Sequence, residues 1–479
     1  MRVGAQRHLN QSVGCGEPVI GRPGRHGLRA LAQAVPSPAA ATILVAASGS
    51  LALACLYAAW PWVMAALLSA LFMLFVAARG APAATLLLII ARPVVDTFVY
   101  LPIGPVTLGQ VWGILLLLLL LYGLAVGQMA GPSLKRDAPL LIFVLLTLLA
   151  LARNPNLIGM TDYSRFVTWL LLIPALGSAS IKNPVSGATL LRCGRLLMAG
   201  SIGAAWCAWI LNRYGLAYYA GELGTQGQGP HGLSLLVVLS LVFVATFPVY
   251  GTTRIVMFTI AGLSAVLGSF VRSTSIAGLA VSASALLILA PRSKFRWYVT
   301  LFICLGLLFL IALPYASMFI GRFSDLGLLG TADYSQAGSG RIAIWMTYLS
   351  TLQARGPVGW AFGLGAEGTR QSVESKLGMP FFAHSDPLEF LVAGGLPLLF
   401  SYLSVLLWLM RWPLAAARSI DPQVKKFGQL AVVVTLAYGF VSCLNGAFFY
   451  QASVALSLSL AYCRRAVSPS RSQPALLSR

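Results

Sequence analysis

The chain has 479 residues, of which 58% are hydrophobic and only 9% are charged, and its mean hydropathy is +0.82. A water-soluble domain carries about 25% charged residues, so the composition indicates a polytopic membrane protein. The net charge of +21 would suit nucleic acid, but the cations are scattered between apolar runs and form no basic face. We therefore expect no nucleic acid among the partners. The seven cysteines form no CxxC pair, which argues against a zinc site or a disulfide framework.

Residues 1–38 are polar and rich in Gly, Pro and Arg, and the first apolar run starts only near Ala40. This is late for a cleaved signal peptide, so we expect a disordered basic tail followed by a retained first span. A membrane-spanning helix needs roughly 20 apolar residues, somewhat fewer where the helix is short. Fourteen segments qualify, although twelve or thirteen spans are also compatible with the first three. The predicted fold is therefore all-α with 12–14 transmembrane helices. The segments are 40–59, 61–78, 84–101, 106–127, 138–152, 165–181, 191–211, 232–250, 255–271, 273–290, 296–314, 386–410, 427–443 and 445–463.

The loops between these spans differ in charge according to the side of the membrane on which they fall. One side receives most of the Lys and Arg residues, which assigns it and both chain termini to the cytoplasm. The predicted transmembrane domain is 39–463, and 464–479 is a second cytoplasmic tail. Most of the acidic residues fall on the opposite side, where residues 315–385 form the one large loop. That loop is too long to be a simple connector, so polar chemistry is expected on the extracytoplasmic face.

Arg272 is the only charged residue between Ile255 and Ala290. A helix of about 36 residues would be roughly 54 Å long, which exceeds one bilayer crossing. The segment therefore predicts two short helices that turn on the outer side at residues 270–273. Arg272 is either a boundary residue that reaches lipid phosphates or a functional residue with a partner.

Arg341 follows a flexible Ala-Gly-Ser-Gly run within the large loop. Ile342, Trp345 and Leu349 then recur at helical spacing, which predicts an amphipathic helix that lies on the membrane and begins at Arg341. A guanidinium can grip a pair of phosphate oxygens, although most loop arginines are simply solvated. Downstream, the glycines of the Gly-Leu-Gly run at 363–365 allow close backbone approach. This run is not a nucleotide fingerprint, because no strand precedes it.

His384 closes the loop, directly before the next predicted span. An imidazole has an ordinary pKa near 6.5, which suits it to accept a proton from a sugar hydroxyl at neutral pH. Two interpretations stay open for this residue alone. It is either a general base, or an interfacial histidine that caps the helix begun by Asp386 and Pro387.

The order of the polar elements is more informative than any one of them. In chain order they are Arg92-Pro93-Val94-Val95-Asp96, Gly229-Pro230-His231-Gly232-Leu233-Ser234, Arg272, Gly340-Arg341 with Trp345, Gly363-Leu364-Gly365, His384 with Leu388, and Gly394-Gly395-Leu396-Pro397. From about residue 84 to residue 463, this order resembles the O-antigen ligase and Wzy-type polysaccharide polymerase superfamily, and its exopolysaccharide polymerases in particular. The sequence departs from the family pattern at Ser385 and Pro387, where the family commonly has Asn and an aromatic residue.

The resemblance implies a GT-C-type fold and a glycosyltransferase at the periplasmic face of a bacterial inner membrane. It implies a glycan linked to undecaprenyl diphosphate as donor, a glycan acceptor, inversion at the anomeric carbon, and no metal or other cofactor. The resemblance assigns catalysis to Arg272 and Arg341, which would hold the diphosphate, and to His384 as the base. Membrane lipids and a chain-length regulator protein are the further candidate partners. We also expect four residues to contact substrate: Trp345, Asp386, His231 and Arg322.

Three functions are compatible with these features. The first is a polymerase that joins lipid-linked repeat units of an exopolysaccharide or O-antigen, favoured by the segment from Arg92 to Asp96 and the His-Ser-Asp run. The second is a ligase that transfers finished glycan to the lipid A core or to protein. The third is a transporter of lipid-linked sugars, which would place charges along a path through the bilayer midplane. Apart from Arg92 and Asp96, the predicted spans carry almost no charge at their centres.

Overall fold

The computed structural model describes residues that all belong to one structural unit, Phe75–Arg479. The predicted tail at 1–38, the spans at 40–59 and 296–314, and most of the span at 61–78 lie outside these residues. The described residues are 75–76, 78–97, 102–103, 106–155, 157–178, 185–213, 229–247, 251–268, 272–289, 341–366, 368, 383–446 and 453–468.

Helices dominate the described part of the chain, as predicted. Two strands of two residues each, β1 (Pro102–Ile103) and β2 (Val106–Thr107), pair antiparallel, and a 3-10 turn at Leu241–Thr246 continues α6. The α-helices are α1 (Ala81–Thr97), α2 (Leu108–Ala125), α3 (Leu134–Arg153), α4 (Leu157–Gly177), α5 (Gly187–Arg213), α6 (Gly229–Ser240), α7 (Thr252–Leu267), α8 (Arg272–Leu289), α9 (Arg341–Ala354), α10 (Gly356–Phe362), α11 (Asp386–Ala417), α12 (Pro422–Asn445) and α13 (Val454–Val467).

Three of the described helices, α2, α11 and α12, are long and apolar enough to cross a membrane. Shorter apolar stretches form much of α4, α6, α7 and α8. Large apolar side chains such as Leu118, Leu407 and Met257 are more than half exposed, which is the pattern expected of helices that face lipid. The chain is therefore an all-α polytopic membrane protein.

Most described helices overlap the predicted spans, but α4 begins at Leu157 instead of 165, α11 continues to Ala417 instead of 410, and the last span is shifted. Helix α7 ends at Leu267 and α8 begins at Arg272, so the long apolar segment is two helices, as its length required. The last span was predicted at 445–463, but α13 covers Val454–Val467. Helix α12 takes residue 445 as its last residue, because the positive φ of Gly446 ends the helix there.

Helix α11 is central to the packing and contacts α3, α10, α12 and α13, while α12 also packs against α8. An aromatic cluster fixes the first half of α11. The Phe390 ring lies 5.1 Å from Phe143 of α3, 5.3 Å from Phe166 of α4 and 4.6 Å from Tyr402, measured between ring centroids. Such ring contacts add to the burial of large apolar area, so the N-terminal end of α11 is held firmly at the centre of the bundle.

Helix α11 is interrupted at Gly395, which has φ 72° and ψ −168°. Two residues later, Pro397 lacks the N–H that would pair with the carbonyl of Ala393. The loop after α10 fills the gap, because Leu364 N–H donates to Val392 O at 2.7 Å and Gly365 N–H donates to Ala393 O at 2.9 Å. The close backbone approach predicted for the Gly-Leu-Gly run is therefore confirmed. Its N–H groups supply hydrogen bonds to the carbonyls that the interruption of α11 leaves without a helical partner.

Candidate active site

Arg341 is the first residue of α9 and reaches the C-terminal end of α12. Its guanidinium donates from Nη1 to the carbonyl oxygen of Leu444 at 2.7 Å and from Nη2 to Oδ1 of Asn445 at 2.5 Å. The last carbonyls of a helix have no partner within the helix and carry partial negative charge, so a cation is well placed there. This pair of bonds fixes the plane of the guanidinium.

Trp345 lies one turn after Arg341 and connects α9 to the segment that carries His384. Its indole N–H donates to the carbonyl oxygen of Ala383 at 2.5 Å. Residues four apart project from the same face of a helix, so one face of α9 reaches both α12 and the His384 segment. The Gly-Arg-x-x-x-Trp spacing is explained by this double contact.

The buried stripe of α9 differs by one position from the predicted one. Ile344, Tyr348 and Leu352 are buried, whereas Trp345 and Leu349 are half-buried, and Leu349 packs against the buried cluster. The side chain of Ile342 lies outside the described residues. The buried stripe packs onto Leu391 and Val392 of α11 and thus contacts protein. The shift leaves Arg341 and Trp345 on the side that faces the site.

His384 has a left-handed backbone conformation, with φ 50°, and among the described residues it alone does so without being glycine. The chain is held on both sides of His384. On one side, Ala383 N–H donates to the buried carboxylate of Glu389 at 3.4 Å, and on the other side α11 begins at Asp386. Such conformations cost free energy and persist where the surrounding structure imposes them. The conformation marks a constrained turn at this position.

The departures from the family pattern have a local structural explanation. Ser385 is the N-cap residue of α11, with an extended backbone, and Pro387 occupies the first turn, where its missing N–H needs no partner. Asp386 and Glu389 add two carboxylates to the same turn, which complements the positive end of the helix dipole. The prediction that Asp386 and Pro387 begin a helix is confirmed.

Burial of His384, and secondarily the nearby charge of Arg341, lower the pKa of its imidazole from 6.5 to about 4. The histidine is half-buried, and it is therefore neutral at pH 7 with a lone pair available. This pKa is lower than the ordinary value assumed from the sequence. Trp345 lies on the same face of α9 as Arg341 and contacts Ala383, so Arg341 and His384 lie in one site.

Asp386 links the start of α11 to α12 by a hydrogen bond. Its Oδ2 accepts a hydrogen bond from the Ser442 hydroxyl at 2.7 Å, and that hydroxyl is also bonded to the Tyr402 hydroxyl. Ser442 gives its one proton to the carboxylate, so Tyr402 must donate to Ser442. Asp386, predicted to contact substrate, is thus bonded to protein through this oxygen.

For three predicted site residues, the side chain lies outside the part of the chain that the structure describes. Arg272 is the first residue of α8, a helix that packs against α12, but its side chain lies outside the described residues. The same holds for the side chain of His231 in the first turn of α6, and for the whole of Arg322. The structure brings together Arg341, Trp345, His384 and Asp386, while the roles of Arg272, His231 and Arg322 stay predictions.

Residues 257–403 match the family model described as O-antigen ligase. This segment is an O-antigen ligase domain. The match supports a relation to the O-antigen ligase and Wzy-type superfamily and a role in glycan assembly on lipid-linked substrates. The domain contains Arg272, Arg341 and His384, and it extends past the interruption at Gly395. Comparison with curated proteins gives no match.

Sequence reasoning missed four residues that contact the predicted site residues or their chain neighbours: Glu389, Ser442, Asn445 and Gly446. The last three lie beyond the O-antigen ligase domain, at the end of α12. The sequence did carry a signal, because an Asn-Gly pair directly after an apolar run marks a helix terminus. What it could not indicate is that this terminus meets Arg341, which lies 104 residues away along the chain.

Proposed function

We propose that this protein polymerises oligosaccharide repeat units linked to undecaprenyl diphosphate, at the periplasmic face of a bacterial inner membrane. The observation that carries the proposal is that helix α9 of the O-antigen ligase domain brings Arg341 to the end of α12 and Trp345 to Ala383, next to His384. In this proposal both termini are cytoplasmic, and residues 39–463 form one glycosyltransferase-like domain.

Arg341 would bind the diphosphate of the donor. Negative charge grows on the diphosphate as its bond to the anomeric carbon breaks, and a guanidinium fixed in advance stabilises that charge without reorganising. The two hydrogen bonds to α12 supply this preorganisation. Arg272 would provide a second positive charge from the start of α8. These cations would make a divalent metal unnecessary, so we expect EDTA to leave the reaction unaffected.

His384 would accept the proton of the acceptor hydroxyl as that oxygen attacks the anomeric carbon. The new carbon–oxygen bond forms on the face opposite the departing undecaprenyl diphosphate, so the anomeric configuration inverts. An imidazole with a pKa of about 4 is a weak base in the empty site. A bound diphosphate would oppose the effect of Arg341 and raise that pKa, so that the base would strengthen when the donor is bound.

The reaction can be tested with purified protein in lipid nanodiscs. The donor is the lipid-linked oligosaccharide extracted from cells that lack this protein. A polymerase lengthens this substrate with no other acceptor present, and products of two or more repeat units appear on a gel. Lengthening that occurs only after lipid A core is added would contradict polymerisation.

The alternative of a ligase is favoured by one specific observation, the description of the matched family model as O-antigen ligase. Both reactions use the same donor and the same chemistry, so the residues around Arg341 serve either.

The second alternative, transport of lipid-linked sugars, predicts charges along a path across the membrane. Arg92 and Asp96 of α1, the two charges in the middle of a predicted span, pair with each other, and Arg92 also lies over the Trp112 ring. Movement of substrate into proteoliposomes without glycosidic bond formation would favour transport.

A further inference from the structure

The last turn of α12 contacts three separate pieces of the candidate site. Ser442 donates to Asp386, and the carbonyl of Leu444 and the amide of Asn445 accept from Arg341. A Cβ at Gly446, whose φ is 67°, would lie 3.6 Å from the Cα of His384 and 3.2 Å from Oδ1 of Asp386. One helix end therefore supports both the candidate base and the candidate phosphate-binding arginine.

Asn445 is the side chain in this turn that contacts Arg341. It is 6% exposed, and its Oδ1 accepts from Nη2 while the neighbouring main-chain carbonyl accepts from Nη1. An arginine side chain loses about 2 kcal/mol of rotamer entropy when it is fixed, so two acceptors in one plane are an effective restraint. The pair fixes both the position and the tilt of the guanidinium.

Both acceptors in this pair are neutral. A carboxylate in place of the amide would hold the guanidinium equally well, but it would add a negative charge where an anionic substrate group has to bind. A carboxylate would form an ion pair with the guanidinium, so it would offset the charge of Arg341 and compete with a phosphate for the same fork. An amide at this position holds the guanidinium and adds no negative charge beside it.

We infer that Asn445 is a positioning residue that orients the Arg341 guanidinium toward the diphosphate of the substrate and adds no negative charge of its own. This inference rests on the proposed function. It assigns the end of α12, outside the O-antigen ligase domain, to the same reaction. The residue acts through Arg341 and is not itself placed against the reacting atoms.

The test compares Asn445→Asp, Asn445→Ala and Gln423→Ala in nanodiscs, with lipid-linked oligosaccharide from cells that lack this protein. Gln423 is the exposed amide at the opposite end of α12 and serves as the matched control. Asn445→Asp keeps an acceptor for Arg341, and we expect about a tenfold higher KM for the donor at wild-type protein abundance. Asn445→Ala loses the restraint, and we expect kcat/KM to fall about tenfold through both kcat and KM. Gln423→Ala should match wild type.

The pH profile gives a second measurement that a purely structural role would not move. Among the described residues, the charged groups around His384 are Arg341 of α9 and the carboxylates Asp386 and Glu389 of α11. A carboxylate at position 445 offsets the charge of Arg341, so the acidic limb of kcat/KM should shift to higher pH in Asn445→Asp. It should stay in place in Gln423→Ala.

Wild-type KM and an unshifted acidic limb in Asn445→Asp would overturn the inference, even if Asn445→Ala fails to accumulate. Equal losses in both variants that follow lowered protein abundance would overturn it too, because they indicate a structural role alone. Active wild type with unaffected Asn445 variants contradicts only this inference. A wild-type protein that forms no glycosidic bond contradicts the proposed function, and the inference falls with it.

Discussion

At the residue scale, the environment of His384 makes a definite prediction about pH. The imidazole must be unprotonated to act as a base, and burial lowers its pKa to about 4. We therefore expect kcat/KM, which reports the free protein, to stay level as pH falls through 6.5 and to decline only near pH 4 to 5. Initial rates of glycan lengthening across this range provide the measurement. A decline centred near pH 6.5 would show that the histidine is not buried in this way.

The same low pKa affects folding, so a stability control is needed. The unfolded chain takes up the proton near pH 6.5, whereas the folded chain resists it down to about pH 4. The stability contributed by neutral His384 is thus complete above pH 6.5 and is lost as pH falls toward 4. Rates should be divided by the folded fraction, followed by tryptophan fluorescence at each pH. A decline in rate that disappears after this correction would be due to unfolding alone.

Arg341 and its bonds to α12 lead to a second prediction at this scale. Arg341→Lys keeps the charge but replaces a planar fork with a compact ammonium, which cannot hold the Leu444 carbonyl and the Asn445 amide in the same geometry. We expect kcat/KM for the lipid-linked donor to fall at least about a hundredfold, with protein abundance unchanged. Arg411→Lys, at an arginine far along α11, is the matched control and should be active. Wild-type polymer yield from Arg341→Lys would count against a role in diphosphate binding.

At the element scale, the interruption of α11 is specified by its residues and can be tested directly. Gly395 has a positive φ, and a Cβ there would come within 2.6 Å of the backbone of Ala361 and Trp360. We expect Gly395→Ala to lower the free energy of unfolding by at least about 2 kcal/mol, from backbone strain and overlap together. Thermal unfolding of the detergent-solubilised protein provides the measurement.

Gly439 is the matched control for this substitution. It lies within α12, and an added Cβ would meet nothing within 4 Å. Because alanine favours helix interiors, Gly439→Ala should be neutral or slightly stabilising, by about 0.5 kcal/mol. An equally stable Gly395→Ala would mean that α11 can run through this point, and that the loop at 363–365 does not depend on the break.

Individual elements were predictable from the sequence to very different degrees. Apolar length and charge alternation were enough to place α2, α7, α8 and the start of α11, since these are local properties. The start of α9 at Arg341 followed from the Ala-Gly-Ser-Gly sequence before it. The end of α12 was not recognised as part of the site, because its role depends on contacts between distant segments. The burial that lowers the pKa of His384 is likewise a product of tertiary packing.

At the scale of the whole molecule, a buried ion pair links segments from opposite ends of the described chain. Arg464 of α13 donates to both carboxylate oxygens of Asp137 in α3, at 2.6 and 3.0 Å, and both side chains are fully buried. The guanidinium also stacks 4.8 Å above the ring of Trp412 in α11. The predicted cytoplasmic tail starts at residue 464, yet this residue is part of the packed interior. Three helices therefore meet at one fixed point.

Removal of one partner should be far more harmful than removal of both. Arg464→Leu leaves a buried carboxylate without its counter-charge, and we expect a loss of about 3 to 5 kcal/mol in the free energy of unfolding. The double variant Asp137→Leu with Arg464→Leu should recover most of that loss. Unfolding in detergent and protein abundance in membranes both measure the effect. Additive losses in the double variant would contradict a specific pairing.

We propose that Arg341 and His384 form one site for glycosyl transfer from a lipid-linked donor. The most direct measurement is the initial rate of glycosidic bond formation by wild type and by His384→Ala, at equal protein amounts in nanodiscs. We predict that wild type lengthens the glycan and that His384→Ala loses at least about 99% of the rate while binding the lipid-linked donor normally. A His384→Ala protein that lengthens the glycan at the wild-type rate would contradict the account.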